Sequence, residues 1–167
     1  MLKSTFPMSK HKPASGHSEH IGKDHPVQNN CFACGKGNAD GMQLDFFFDE
    51  TARTAFCNFN LAKKYQGPPG HAHGGIIAVI LDEAMGKVNK LRNVIALTKS
   101  MNVEYMKPVP LGKALTVTAR ERQVEGRKHT NVAEITDEAG SVLARSSGVF
   151  VVVDIGKMFS RHLQTED

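Results

Sequence analysis

Residues 71–86 read HAHGGIIAVILDEAMG, and the reading of this stretch decides the fold. From His73 to about Leu91, Ile76, Ile77, Ile80, Leu81, Ala84, Met85 and Val88 recur with the period of an α-helix and cover more than half its circumference. A helix apolar over so much of its surface is expected to be buried. Two features do not belong to a purely structural helix. Glycines open it, and two adjacent acids, Asp82 and Glu83, stand in its middle.

Before this helix, MQLDFFFDE (42–50) places Met42, Leu44, Phe46 and Phe48 on one side, and TARTAFCNFN (51–60) continues as a second extended run, so the pair reads as a hairpin. Gly67, Pro68, Pro69 and Gly70 then impose a loop. After the helix, TKSMNVEYM (98–106) alternates Met101, Val103 and Tyr105 with Ser100, Asn102 and Glu104. KALTVTARERQV (113–124) alternates Leu115, Val117 and Ala119 with polar residues. The turns EGRK (125–128) and DEAGS (137–141) separate it from HTNVAEI (129–135) and VLARSSGVFVVV (142–153). The expected order is a strand pair, one long helix and four further strands. Short turns make the strands antiparallel neighbours, so the predicted class is α+β, one curved antiparallel sheet wrapped around a single central helix.

The chain has 167 residues, the size of one ordinary domain. The expected division is a flexible tail over 1–28, a domain over 29–155 and a short tail over 156–167. The net charge of +4 comes from basic residues interleaved with acids, which argues against nucleic acid and suits a small anionic ligand. No apolar run approaches the roughly 20 residues of a membrane span, and a cytoplasmic protein is expected. Cys31, Cys34 and Cys57 read as reduced thiols. CFACG (31–35) has the spacing of half a zinc site, but no second pair follows; His25 and Cys57 would complete it only by coincidence of folding, so no metal is expected. His11, His17, His20 and His25 of the tail read as solvated residues.

Helical geometry places Gly75 and Asp82 within roughly 20° of each other, with Ala78, Gly86 and Asn89 on the same side as a strip of small residues. The amides at the helix start have no intrahelical acceptor and carry the positive end of the helix dipole, which polarises a carbonyl oxygen. Gly75 and Asp82 are roughly 10 Å apart along the axis, too far to act on one carbonyl within one helix. Two copies packed antiparallel along the strip would bring the amide end of one to the carboxylate of the other. An obligate dimer with shared sites follows, suited to acyl transfer to water, with Asp82 as general base or nucleophile and Thr98 holding the water.

The string HGGIIAVILDEAMG, Thr98 sixteen residues after Asp82, YMKPVPLG (105–112) and VEGRKH (124–129) together resemble the hotdog-fold acyl-CoA thioesterases of the 4-hydroxybenzoyl-CoA thioesterase and phenylacetate-pathway type. The resemblance runs from about residue 31 to 153. It implies the hotdog fold, dimers or dimers of dimers, and hydrolysis of an acyl-CoA to a carboxylic acid and free CoA without metal or other cofactor. By position it makes His73 the histidine near the thioester, Gly75 the oxyanion amide with Gly74 as its alternate, Asp82 the catalytic carboxylate and Thr98 its water-positioning neighbour. Glu83 is not in the family's acid position. Lys107, Arg127 and Lys128 are the candidates for the CoA phosphates. Competing classes are a non-catalytic acyl-CoA-binding hotdog protein and a hotdog dehydratase or hydratase.

Overall fold

The structure is a computed structural model that describes residues 29–154 and 156. The expected tail over 1–28, with its histidines, and nearly all of 156–167 lie outside the described residues. The elements are β1 (Phe47–Asp49), β2 (Thr54–Phe59), α1 (Gly74–Val88), β3 (Ala96–Tyr105), β4 (Leu115–Glu125), β5 (Lys128–Asp137) and β6 (Val142–Val152). The strands form one six-stranded antiparallel sheet in the order β1-β2-β4-β5-β6-β3. β2, β3, β4, β5 and β6 all touch α1, so the sheet wraps the helix as its periodicity requires.

The apolar face of α1 supplies the centre of the core. Ile77, Ile80, Leu81, Ala84, Met85 and Val88 are buried, while Ile76 packs against the core from its margin. The sheet answers with Ala55 and Cys57 of β2, Val117 and Ala119 of β4, Ile135 of β5 and Phe150 of β6. Past Val88 the chain tightens into a short 3-10 turn, Asn89–Arg92, closed by Asn93 at φ 55°, a left-handed conformation that asparagine tolerates.

The first hairpin is shorter than its alternation predicts. Residues 42–44 bond to the cysteine turn instead of β2: Met42 N–H donates to Phe32 O at 2.7 Å and Leu44 N–H to Ala33 O at 2.9 Å. Leu44 is nevertheless buried, and Met42, Phe46 and Phe48 line the same core. Tyr105 departs from its expected place in the apolar row of β3, with 55% of its surface exposed. β3 forms one edge of the sheet, and Ile95 and Leu97 near its start are 45% and 41% exposed. Among the described residues no helix is long and apolar enough to cross a membrane.

Leu81 is fully enclosed between helix and sheet. Leu81→Ala is expected to lower the free energy of unfolding by about 2–5 kcal/mol, read from the urea midpoint at unchanged slope.

Candidate active site

The start of α1 is built by a tight approach of two loop segments. Ala72 N–H donates to Val109 O and His73 N–H to Tyr65 O, each at 2.9 Å, holding the HAHGG segment extended. Gly67 lies against this segment so closely that a Cβ there would stand 2.8 Å from His73 Cα. His73 is the N-cap, and its Nδ1 accepts from the Gly75 N–H at 3.0 Å. The amide expected to face a substrate carbonyl is therefore occupied by the imidazole of its own chain. The Gly74 N–H meets no acceptor among the described residues, while the Gly74 carbonyl accepts from Tyr105 Oη at 3.1 Å.

Two turns further along, Asp82 is half-buried, and Thr98 Oγ1 donates to its Oδ1 at 2.8 Å. Burial pushes the Asp82 carboxyl above the usual carboxylate range; the Thr98 bond pulls it down, and the neighbouring Glu83 charge raises it again. Thr98 reaches the helix because β3 carries a bulge. Thr98 pairs with Phe150 and Ser100 with Val149, so one extra residue is taken up between them. Strict alternation would put Thr98 on the face opposite Met101. With the extra residue both point toward α1.

The strip of small residues is shorter than helical geometry alone predicts. Gly75 is exposed and Ala78 half-buried, but the Phe150 ring lies 3.8 Å from where a Gly86 Cβ would be. Asn89 is only 3% exposed and turned inward, its Oδ1 accepting from His129 Nδ1 at 3.0 Å. The sheet wraps this end of the helix, and the open part of the strip runs from Gly75 to Asp82.

The thioesterase superfamily model matches residues 69–144, the segment that holds both the capped helix start and the Asp82–Thr98 pair. Over these residues the chain is similar to the thioesterase superfamily. It is similar to human acyl-coenzyme A thioesterase THEM5, 28% identical over 124 residues, which cover 73% of this chain and 50% of that protein. The chain thus spans about half the length of the curated relatives it matches. A crystal structure of a thioesterase superfamily protein superposes with a TM-score of 0.70 at 31% identity, covering 74% of this chain and 60% of the other. A Streptococcus mutans protein bound to acetyl-CoA has the same fold, with a TM-score of 0.61 at 21% identity over 66% of this chain and 88% of that one. The architecture is the hotdog fold.

Within one chain the anion-binding candidates do not converge. Lys107 follows the end of β3 near Tyr105 and the helix start, and is exposed. Arg127 and Lys128 sit at the β4–β5 turn, where Lys128 pairs with Val151, beside the other end of β3. Arg127 donates from Nε and Nη2 to Val152 O at 3.0 and 2.8 Å, which ties much of its guanidinium to the backbone. The two ends of β3 are roughly 30 Å apart at the rise of an extended strand.

Glu83, as its position 100° around the helix implies, faces away from Asp82 toward the cysteine turn. Its Oε1 accepts from Lys87 Nζ at 2.9 Å, and its Oε2 accepts from the Cys31 thiol at 3.7 Å. Burial alone would raise its carboxyl, but Lys87 and the bonds from the two thiols outweigh that and hold it below the ordinary range. Cys57 takes no part in this group; it is in the core on β2, its thiol pushed up to about 11 by burial. The cysteine pair and Glu83 were legible only as separate residues, 52 positions apart at their contact.

Gly67→Ala is expected to push the loop away from His73 and cost about 1–3 kcal/mol in unfolding free energy, with the His73 and Gly75 amide resonances shifting in a nitrogen–proton spectrum. Unchanged stability and unchanged shifts would show that the close approach does not hold the cap.

Proposed function

We propose that this chain hydrolyses an acyl-CoA thioester to a carboxylic acid and free CoA, at sites shared between the two subunits of a homodimer. The observation that carries the reading is the half-buried Asp82, raised in basicity and held by Thr98, on the open side of a helix whose start presents a free amide. The role first expected of Gly75 falls to Gly74. The Gly75 N–H is engaged by His73, and the Gly74 N–H is the amide left for a carbonyl oxygen.

The two groups belong to opposite ends of an open face, so one chain supplies half of each site. Pairing the exposed β3 edges antiparallel would set the Tyr105 end of one subunit against the Thr98 end of its twin. The Gly74 amide of one would then face Asp82 of the other. The same operation would bring Lys107 of one subunit toward Arg127 and Lys128 of the other, gathering the cations for the CoA phosphates.

In the step, Asp82 takes a proton from a water that Thr98 helps to hold, and the water oxygen attacks the thioester carbon. Negative charge develops on the carbonyl oxygen against the Gly74 amide. The carbon–sulfur bond breaks, and the proton passes to the departing CoA sulfur. Direct attack by the Asp82 carboxylate, followed by hydrolysis of the resulting anhydride, uses the same groups. Acyl-CoA thioesterase names among the relatives and acetyl-CoA in a structural neighbour support the substrate class. The compartment proposed is the cytoplasm.

Thiol release is expected from at least one of a short, a long and an aromatic acyl-CoA. Asp82→Asn, which keeps the size of the side chain and an oxygen for Thr98, is expected to lower kcat by at least about 10²-fold with the fold intact by circular dichroism. Release from none of the three, or full activity in Asp82→Asn, would remove the proposal. A protein that sediments as a stable monomer while hydrolysing substrate would remove the shared site.

A further inference from the structure

On the side of α1 away from Asp82, three metal-ligating side chains converge with no part in the chemistry above. Cys31 Sγ, Cys34 Sγ and a Glu83 carboxylate oxygen all lie within 4.8 Å of one another, and they form the group of this kind found among the described residues. We propose that Cys31, Cys34 and Glu83 bind a thiophilic divalent cation of the Zn2+ class, with Lys87 as the outer cation that completes the charge balance.

Dimensions support this. Around a tetrahedral zinc with Zn–S near 2.3 Å and Zn–O near 2.0–2.2 Å, ligand atoms stand about 3.5–3.8 Å apart. Cys31 Sγ and Glu83 Oε2 are separated by 3.7 Å. This pair already stands at the separation a bound ion requires, and all three ligand atoms lie within 4.8 Å of one another. Three protein ligands leave a fourth position for water or another donor.

The turn that carries the two thiols is built tightly. The Gly35 N–H donates to Cys31 O at 2.9 Å, and the Cys31 N–H donates to Asn29 Oδ1 at 3.1 Å. A Cβ at Gly35 would stand 2.5 Å from three backbone atoms, so only glycine permits the fold of CFACG. Buried Ala33 and the Phe32 and Ala33 carbonyls, bonded to Met42 and Leu44, fasten the turn to the body of the domain. The pair of sulfurs is thus held against α1 rather than hung on a free arm.

Lys87 settles the electrostatics. Its Nζ lies 2.9 Å from Glu83 Oε1 and 3.0 Å from Cys34 Sγ, which leaves Oε2, the oxygen beside Cys31, for the metal. Two thiolates and a carboxylate carry three negative charges; a divalent ion and one ammonium match them. An N–H donor on a metal-bound thiolate and on the ligating carboxylate is the usual outer support of such a site. The bound ion would tie residues 29–44 to the helix one residue beyond Asp82. The inference does not rest on the proposed hydrolysis.

The test uses the full chain, stripped of metal by a chelator, kept reduced with a phosphine and titrated with Co2+. The expected result is one equivalent bound with sulfur-to-cobalt charge-transfer bands in the near ultraviolet, displaced stoichiometrically by Zn2+. Cys31→Ser and Cys34→Ser are each expected to remove the site, Lys87→Met to weaken Zn2+ binding about 10–100-fold, and Asp82→Asn to leave it unchanged. The parent's own spectrum carries the thiolate signature, so the outcome does not depend on any variant's folding. A parent that binds neither ion with its thiols reduced, or binds Co2+ without those bands, overturns the site. Tighter binding by Lys87→Met overturns the role given to Lys87, because it would make the ammonium a competitor for the ion.

Discussion

The burial of one side of α1 against a single sheet is the constraint on which the rest of the molecule depends. Ile77, Ile80, Leu81, Ala84, Met85 and Val88 are buried, and strands from β2 round to β3 close over them. The wrap is incomplete beside the edge strand. The side of the helix that carries Gly75, Ala78 and Asp82 remains accessible because β3 has no further neighbour among the described residues. The same packing that makes the core leaves a carboxylate half-dehydrated beside one hydroxyl, and that half-dehydration makes it a better base than an exposed aspartate.

Two acids adjacent in sequence take opposite environments. Asp82 and Glu83 are separated by 100° around the helix, enough to send one to the open face and the other to the cysteine turn. For Asp82 burial prevails and the carboxyl is driven up; for Glu83 the cation Lys87, one helical turn away, prevails and the carboxyl is driven down. A single turn of helix thus presents a carboxyl shifted up on one side and a carboxyl shifted down on the other. The first suits proton transfer, the second a cation.

At the helix start a capping interaction decides which amide stays free of a partner among the described residues. His73 fills the N-cap through its ring nitrogen and satisfies the Gly75 amide, and Gly67 permits the close packing that sets it there. The Gly74 amide, one residue earlier, has no acceptor among the described residues. Its distance from Asp82 along the helix, together with the exposed edge of β3, is the physical ground for regarding one chain as half of two sites.

The order of strands and helix, the apolar face of α1, the turn positions and the place of Asp82 on the open side were all legible in the sequence, because they follow from period and composition alone. The pairing of Asp82 with Thr98 was legible by another route, through the resemblance rather than through period or composition. What only the tertiary structure decided are effects of one residue or of distant segments. The bulge between Thr98 and Ser100 turns Thr98 toward the helix against strict alternation. Phe150 and His129 cover the far end of the small-residue strip, His73 takes the Gly75 amide, and a turn 52 residues away meets Glu83. The reason is common to all of them: periodicity reports which face of an element is buried, whereas a bulge, a cap or a long-range contact is settled by which segments compete for the same few ångströms.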